Sequence, residues 1–175
     1  MDCDRFLEEL QSRLGGETRQ EELVLGSAPR LYTHYQGFFV KFDFVTTAEI
    51  IIDVNTPPPH RLRVRKEGWL SRAADSVPLL ADHKTGDEAF DREYEIDNAT
   101  SEQVLRFFTD EVRSLIRSLE PFVSFELTHK EYRCFKVLES SEEYTPAKAH
   151  ADIDALIRIA RIAEQLPKSG DDVDR

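Results

Sequence analysis

Apolar residues follow a helical spacing at both ends of the chain and an alternating spacing through most of its middle. Phe6, Leu7, Leu10 and Leu14 share one helical face, which predicts an amphipathic helix over 2–14 that ends at Gly15-Gly16. Residues 17–30 are polar and contain Gly26 and Pro29, so 15–30 reads as a linker with room for a short strand at 23–25. Residues 31–54 are dense in aromatic and β-branched side chains, which suit a half-buried pleated surface, and predict strands over 31–45 and 47–54 with a break near Thr46-Thr47. Thr56-Pro57-Pro58-Pro59 reads as a loop or a sheet edge, because proline donates nothing to a ladder. Residues 61–65 alternate strictly and predict a strand, 71–88 read as loop, and the alternation resumes over 90–96 as another strand.

Helical spacing then returns. Thr100-Ser101-Glu102-Gln103 fits a capping box, followed by a stripe of Val104, Leu105 and Phe108. Thr109-Asp110-Glu111 fits a second N-cap with acids in the first turn, where the helix dipole favours them. The pair predicts a short helix, a bend near Thr109 and a longer helix to Leu119, closed by Pro121. Residues 122–138 predict a hairpin turning near His129-Lys130-Glu131, with Val123, Phe125 and Leu127 facing one way and Phe135 and Val137 alternating on the return strand. Over 147–166, Ile153, Leu156, Ile157, Ala160 and Ala163 line the strongest helix, and Asp154 and Arg158 pair on its solvated side. Residues 167–175 read as a disordered acidic tail. Grouped rather than alternating elements imply an α+β fold: an antiparallel sheet of about five or six strands, helices packed on one face and a C-terminal amphipathic helix. A single domain over 1–166 is expected, with the first helix and the linker at its periphery.

Composition narrows the function. The 175 residues include 23 basic and 34 acidic side chains, a net charge of −11, and 40% are hydrophobic, enough for one real core. The acidic balance argues against nucleic acid as a partner, which needs a basic footprint on phosphates. Cys3 and Cys134 form no CxxC, so neither a zinc knuckle nor a redox motif is implied, and two free thiols fit a cytoplasmic protein. Apolar runs such as Ile50-Ile51-Ile52 fall far short of the roughly 20 residues a membrane helix needs, and MDCDRFLEEL lacks the positive start of a signal peptide.

Thr85-Gly86-Asp87-Glu88-Ala89-Phe90-Asp91-Arg92 resembles a TGDxxFDRxF-like signature of uncharacterised bacterial proteins that carry a domain of unknown function. In that group the signature precedes a T-P-E-V-R helix start and an apolar C-terminal helix, matched here by Thr109-Asp110-Glu111-Val112-Arg113 and by Ala155–Leu166. Asp110 stands where the group has proline, and Tyr94 where it has phenylalanine. The resemblance implies one recurring structural unit over roughly 85–166 and no activity.

The chemistry-bearing residues are few. Asp82, His83, Asp87 and Asp91 are close in sequence, but they lack EF-hand spacing and read as a polar turn. His34, His60, His83, His129 and His150 form no HExxH or HxH motif, and no catalytic, cofactor or metal set is assigned. Arg61, Arg63, Arg65 and Lys66 make the one basic stripe. It reads either as a site for an anion or acidic partner, with Trp69 as an aromatic anchor, or as the partner of the acidic stripe Asp91, Glu93, Glu95 and Asp97. The second reading makes 61–65 and 90–97 sheet neighbours. Arg92 would then share the inward face of Phe90 and Tyr94 and need a carboxylate such as Asp87, which makes Arg92 and Asp87 candidate functional residues. The sequence therefore supports a non-catalytic cytoplasmic interaction or ligand-binding module, with a protein or a small anionic ligand as partner. The alternative is an enzyme with its site around 82–92.

Overall fold

A computed structural model describes residues 2–23, 26–44, 47–53, 61–66, 83–137 and 144–166. Helix α1 (Cys3–Leu14) leads into strands β1 (Glu17–Leu23), β2 (Gly26–Tyr35), β3 (Phe38–Phe44), β4 (Thr47–Asp53) and β5 (Leu62–Lys66). Then come α2 (Glu88–Glu93), β6 (Tyr94–Asp97), α3 (Ser101–Phe107), α4 (Asp110–Ser118), β7 (Ser124–Leu127), β8 (Glu131–Val137) and α5 (Pro146–Glu164). The strands form one sheet in the order β1-β2-β3-β4-β8-β7-β5-β6, and every neighbouring pair is antiparallel.

The helices start where their side chains satisfy the first free amides. Asp2 caps α1, Thr109 caps α4, and Thr145 caps α5 with Pro146 in its first turn. The Thr100–Gln103 capping box forms in full, and the bend near Thr109 separates α3 from α4 as the sequence predicts.

Register explains the core. Leu31, Phe42, Ile50, Cys134, Phe125, Val64 and Ile96 lie opposite one another in a single row across seven strands, and all are buried. A second buried row runs Thr33, Val40, Ile52, Tyr132, Leu127 and Leu62. The apolar faces of α1 and α5 join these rows in one cluster, with Phe6 stacked on Phe44 at 4.2 Å between ring centres. Each fully buried large side chain contributes roughly 1.5–3 kcal/mol.

The sheet has eight strands, more than the five or six expected. The 31–45 stretch is two strands, β2 and β3, because Gln36 (φ 51°) and Gly37 (φ 89°) turn the chain with both residues at positive φ, as a tight hairpin requires. The 15–30 segment, expected as a linker, pairs as the β1–β2 hairpin. The expected strand over 90–96 is helix α2 followed by a short strand from Tyr94. Asp87 accepts from the amides of Ala89 and Phe90 and starts a helix that ends at Glu93, so Phe90 and Tyr94, the first residue of β6, come one turn apart, a spacing that imitates alternation. On β8 the faces are reversed: Tyr132, Cys134 and Lys136 point inward, while Phe135 is half-buried and Val137 exposed. Leu105 lies on the outside of α3, and Phe107 takes the buried place. The triple proline, Trp69, Asp82 and the 167–175 tail lie outside the described residues.

Ile157 is fully buried in α5, so Ile157→Asp is expected to cost several kcal/mol by leaving a buried carboxylate unpaired. Leu105→Asp, at a position 63% exposed, is expected to melt close to wild type. Thermal melting of the two variants checks the assignment of inner and outer helix faces.

Candidate functional site

Alternation that sends apolar side chains into the core sends charged ones to the opposite face of the sheet. Arg30 of β2 lies opposite Asp43 of β3, which lies opposite Glu49 of β4. Glu126 of β7 stands between Arg133 of β8 and Arg63 of β5, and Arg63 stands opposite Asp97 of β6. Close contacts follow. Arg30 bridges Glu21 and Asp43, both at 2.6 Å, and Arg133 reaches Glu131 at 2.5 Å and Glu49 at 3.4 Å. Arg63 Nε lies 2.9 Å from Glu126, although its N–H is not aligned for a hydrogen bond. Arg65 binds Asp97 at 2.6 Å and lies 3.8 Å from Glu95. Burial raises the Glu49 carboxyl above its ordinary value, and the facing Asp43 adds to the shift. Burial likewise raises Asp43, against the pull of Arg30.

The basic stripe is therefore largely paired, and β5 lies beside β6 as the charge complementarity predicts. Although it belongs to the charged face, Asp97 is only 3% exposed, and Arg65 pairs with it there. Arg61, at the start of the stripe, is exposed and borders a half-open cavity of ≈ 390 Å³ between β5 and β7. Arg63, Glu126, Asn98 and Thr128 form other walls, and Leu62 and Leu127, whose side chains are buried in the core, lie between them.

The 83–92 segment behaves differently. The Asp91 carboxylate accepts from the amide and hydroxyl of Thr85, both at 2.8 Å, and from the amide of Gly86 at 3.1 Å. Gly86 sits at φ 87°, a conformation that suits glycine. Asp87 caps α2 and meets Arg113 Nε at 3.1 Å; the Phe90 amide, ahead of other causes, holds its carboxyl below the ordinary range. Phe90 is buried under the Arg117 guanidinium. The two stretches that carry the sequence resemblance thus meet through Asp87 and Arg113. Arg92 neither faces the core nor meets Asp87. On a helix it turns outward, and its Nε donates to the Glu88 carbonyl, so the strand-based argument for it fails.

Sequence reasoning missed a buried ionic cluster. Lys136 of β8 is fully buried and lies 2.8 Å from Asp152 of α5. Asp152 also holds Lys148 at 2.5 Å and accepts from the Tyr144 hydroxyl at 2.8 Å. Lys136 donates to the Leu119 carbonyl and Lys148 to the Ser118 carbonyl, so the cluster also closes the end of α4. Burial pushes the nearby Cys134 thiol up to about 12, which keeps it un-ionised. An inward lysine on an otherwise apolar strand face was the available signal.

Among the described residues no three His, Cys, Asp or Glu side chains gather as a metal site, and no helix is long and apolar enough to cross a membrane. No family model matches the chain, and no curated relative matches it in sequence. A solved structure shares its fold. It is the mycobacterial trehalose monomycolate transport factor A, with a TM-score of 0.66 at 10% identity, covering 95% of this chain and 96% of that one. At that identity the likeness concerns the fold alone.

Two expectations follow. Asp152→Ala leaves Lys136 buried without its counter-ion and is expected to cost about 3–5 kcal/mol, whereas Lys136→Met combined with Asp152→Leu costs less than the single change, as urea unfolding would register. For Glu49, a raised folded-state value means that the folded chain holds the proton more tightly than the unfolded one. Its stabilising contribution is therefore full below the ordinary carboxylate range and lost as pH rises through the folded value. Glu49→Gln removes that loss. It is expected to resist urea better than wild type at about pH 7.5, with the gap closing toward about pH 4.

Proposed function

We propose that the chain is a non-catalytic binding module that works through the outer face of its sheet. The observation that carries this reading is how the reactive side chains are used. The acids of 83–92 fold their own loop: Asp91 holds Thr85 and Gly86, and Asp87 caps α2. Cys134 is buried and un-ionised. That leaves little for the alternative of an enzyme around 82–92. The outer face, in contrast, presents a broad polar surface with half-buried Tyr32 and Phe39 at one end and a half-open cavity at the other. A shallow face with a small polar cavity suits recognition better than chemistry. The similar structure is that of a trehalose monomycolate transport factor, and this extends the reading to a transport-associated role with a lipid or a protein as partner. A cytoplasmic location and no nucleic-acid partner complete it, in keeping with the free thiols and the net charge of −11.

A photo-crosslinking residue at Phe39 on the outer face, compared with one at Leu105 on α3, tests the reading in the source cells. Adducts, identified by mass spectrometry, are expected from position 39 and not from 105. Absence of outer-face adducts, or equal labelling from both positions, overturns it.

A further inference from the structure

The outer face supplies its own counter-charges strand by strand, and the pattern breaks at Arg61. Arg63 lies between Glu126 on β7 and Asp97 on β6. Arg65 reaches both Asp97 and Glu95. One residue before Leu62 in the same register, Arg61 comes beside Thr128 on one side and the Asn98–Ala99 segment on the other, and neither carries a charge. Among the described residues Arg61 has no ion pair, and it is exposed. Thr128 cannot substitute, since its hydroxyl donates to the Glu131 carbonyl and accepts from the amides of Lys130 and Glu131.

The cavity opens at this same place. Its volume of ≈ 390 Å³ falls in the lower part of the range of about 300–1,000 Å³ typical of small-molecule sites. Arg61 and Arg63 against Glu126 leave one positive charge on its wall, while the side chains of Leu62 and Leu127 turn to the core, so the lining offered to a ligand is mainly polar. A guanidinium presents a planar fork of donors that matches a carboxylate or a phosphate. The −11 of the whole chain repels anions at long range, so affinity here has to come from contact at close range.

We propose that this cavity binds a small anion, its carboxylate or phosphate held by Arg61 with Arg63 behind it. The anion takes the place that a carboxylate of the sheet occupies beside every other arginine of the stripe. This rests on the reading of the chain as a binding module and names the ligand class for one end of its outer face.

Octanoate, octyl phosphate and inorganic phosphate, with 1-octanol as neutral control, are titrated into the ¹⁵N-labelled full chain. The three anions are expected to shift the amide resonances of Asn98 and Thr128, and octanol is not. Arg61→Gln, at an exposed position, is expected to melt with wild type and to weaken binding about tenfold or more. Monomeric probes that bind without vesicles identify a free small ligand. Arg61-dependent binding confined to phosphatidylglycerol vesicles, absent with phosphatidylcholine, identifies a lipid headgroup. No Arg61-dependent binding in either format, or equal binding by wild type and Arg61→Gln, overturns the proposal. Crosslinking at Phe39 is read separately, so loss of this site and loss of the binding-module reading are distinguishable.

Discussion

A single carboxylate, Asp152, joins the parts of this fold that sequence keeps apart. It sits 1% exposed on the inward face of α5, and it faces Lys136 from the middle of the sheet. Neither charge is tolerable alone in that place, since an unpaired ion out of water costs several kcal/mol. Lys148 and Tyr144 satisfy the remaining acceptor capacity, while the two lysines bind the last carbonyls of α4. The cluster therefore fixes the position of α5 over the sheet and the end of α4 against both. Hydrophobic contact is non-directional and supplies most of the stability, but it accepts small sliding of α5. The ionic cluster does not, because a displaced α5 would leave Lys136 unpaired.

The one-sided core dictates the chemistry of the other side. Seven strands, β2 to β8, bury their inward rows under helices, and their outward rows carry mainly charged and polar side chains. Charges of opposite sign placed on neighbouring strands stabilise those outward rows, each pair worth about 0.2–1 kcal/mol. The arrangement is not free of conflict. Asp43 and Glu49 lie directly opposite, and both carboxyls are raised above their ordinary values. Arg30 and Arg133, one at each side, make that juxtaposition tolerable.

How much of this was legible depended on whether local pattern and tertiary role agreed. They agreed in α3, α4 and α5, whose caps and apolar stripes mark their starts, and in the charge match that placed β5 beside β6. They disagreed in β1, an edge strand polar on both faces, which gives no alternation to detect. They disagreed in α2, whose one-turn spacing of Phe90 and Tyr94 passes for a strand. The inward face of β8 is illegible locally because Lys136 breaks its apolar pattern, and its partner Asp152 is remote in sequence. Of the candidate site residues, Arg61 and Arg63 line one cavity; Arg65 is committed to Asp97, and Asp87 and Arg92 serve the α2 region.

The edges of the sheet decide which surface is left for binding. An open edge invites pairing with another chain unless it is covered or made unattractive. At β6, the amide of His83 donates to the Ile96 carbonyl, so the loop that Asp91 holds together covers that edge. This gives the signature segment a structural task and explains why its acids are engaged with backbone amides. At β1, Glu17, Arg19, Glu21 and Glu22 crowd the edge with mostly like charge, which disfavours addition of a further strand. With one edge covered and the other charged, the outer face is the surface on which the proposed binding role would depend. There nearly every cation has a carboxylate on a neighbouring strand, so a ligand gains little by displacing those pairs. It gains most where the fold has supplied a guanidinium and an adjoining cavity but no carboxylate, which is the β5–β7 end beside Arg61.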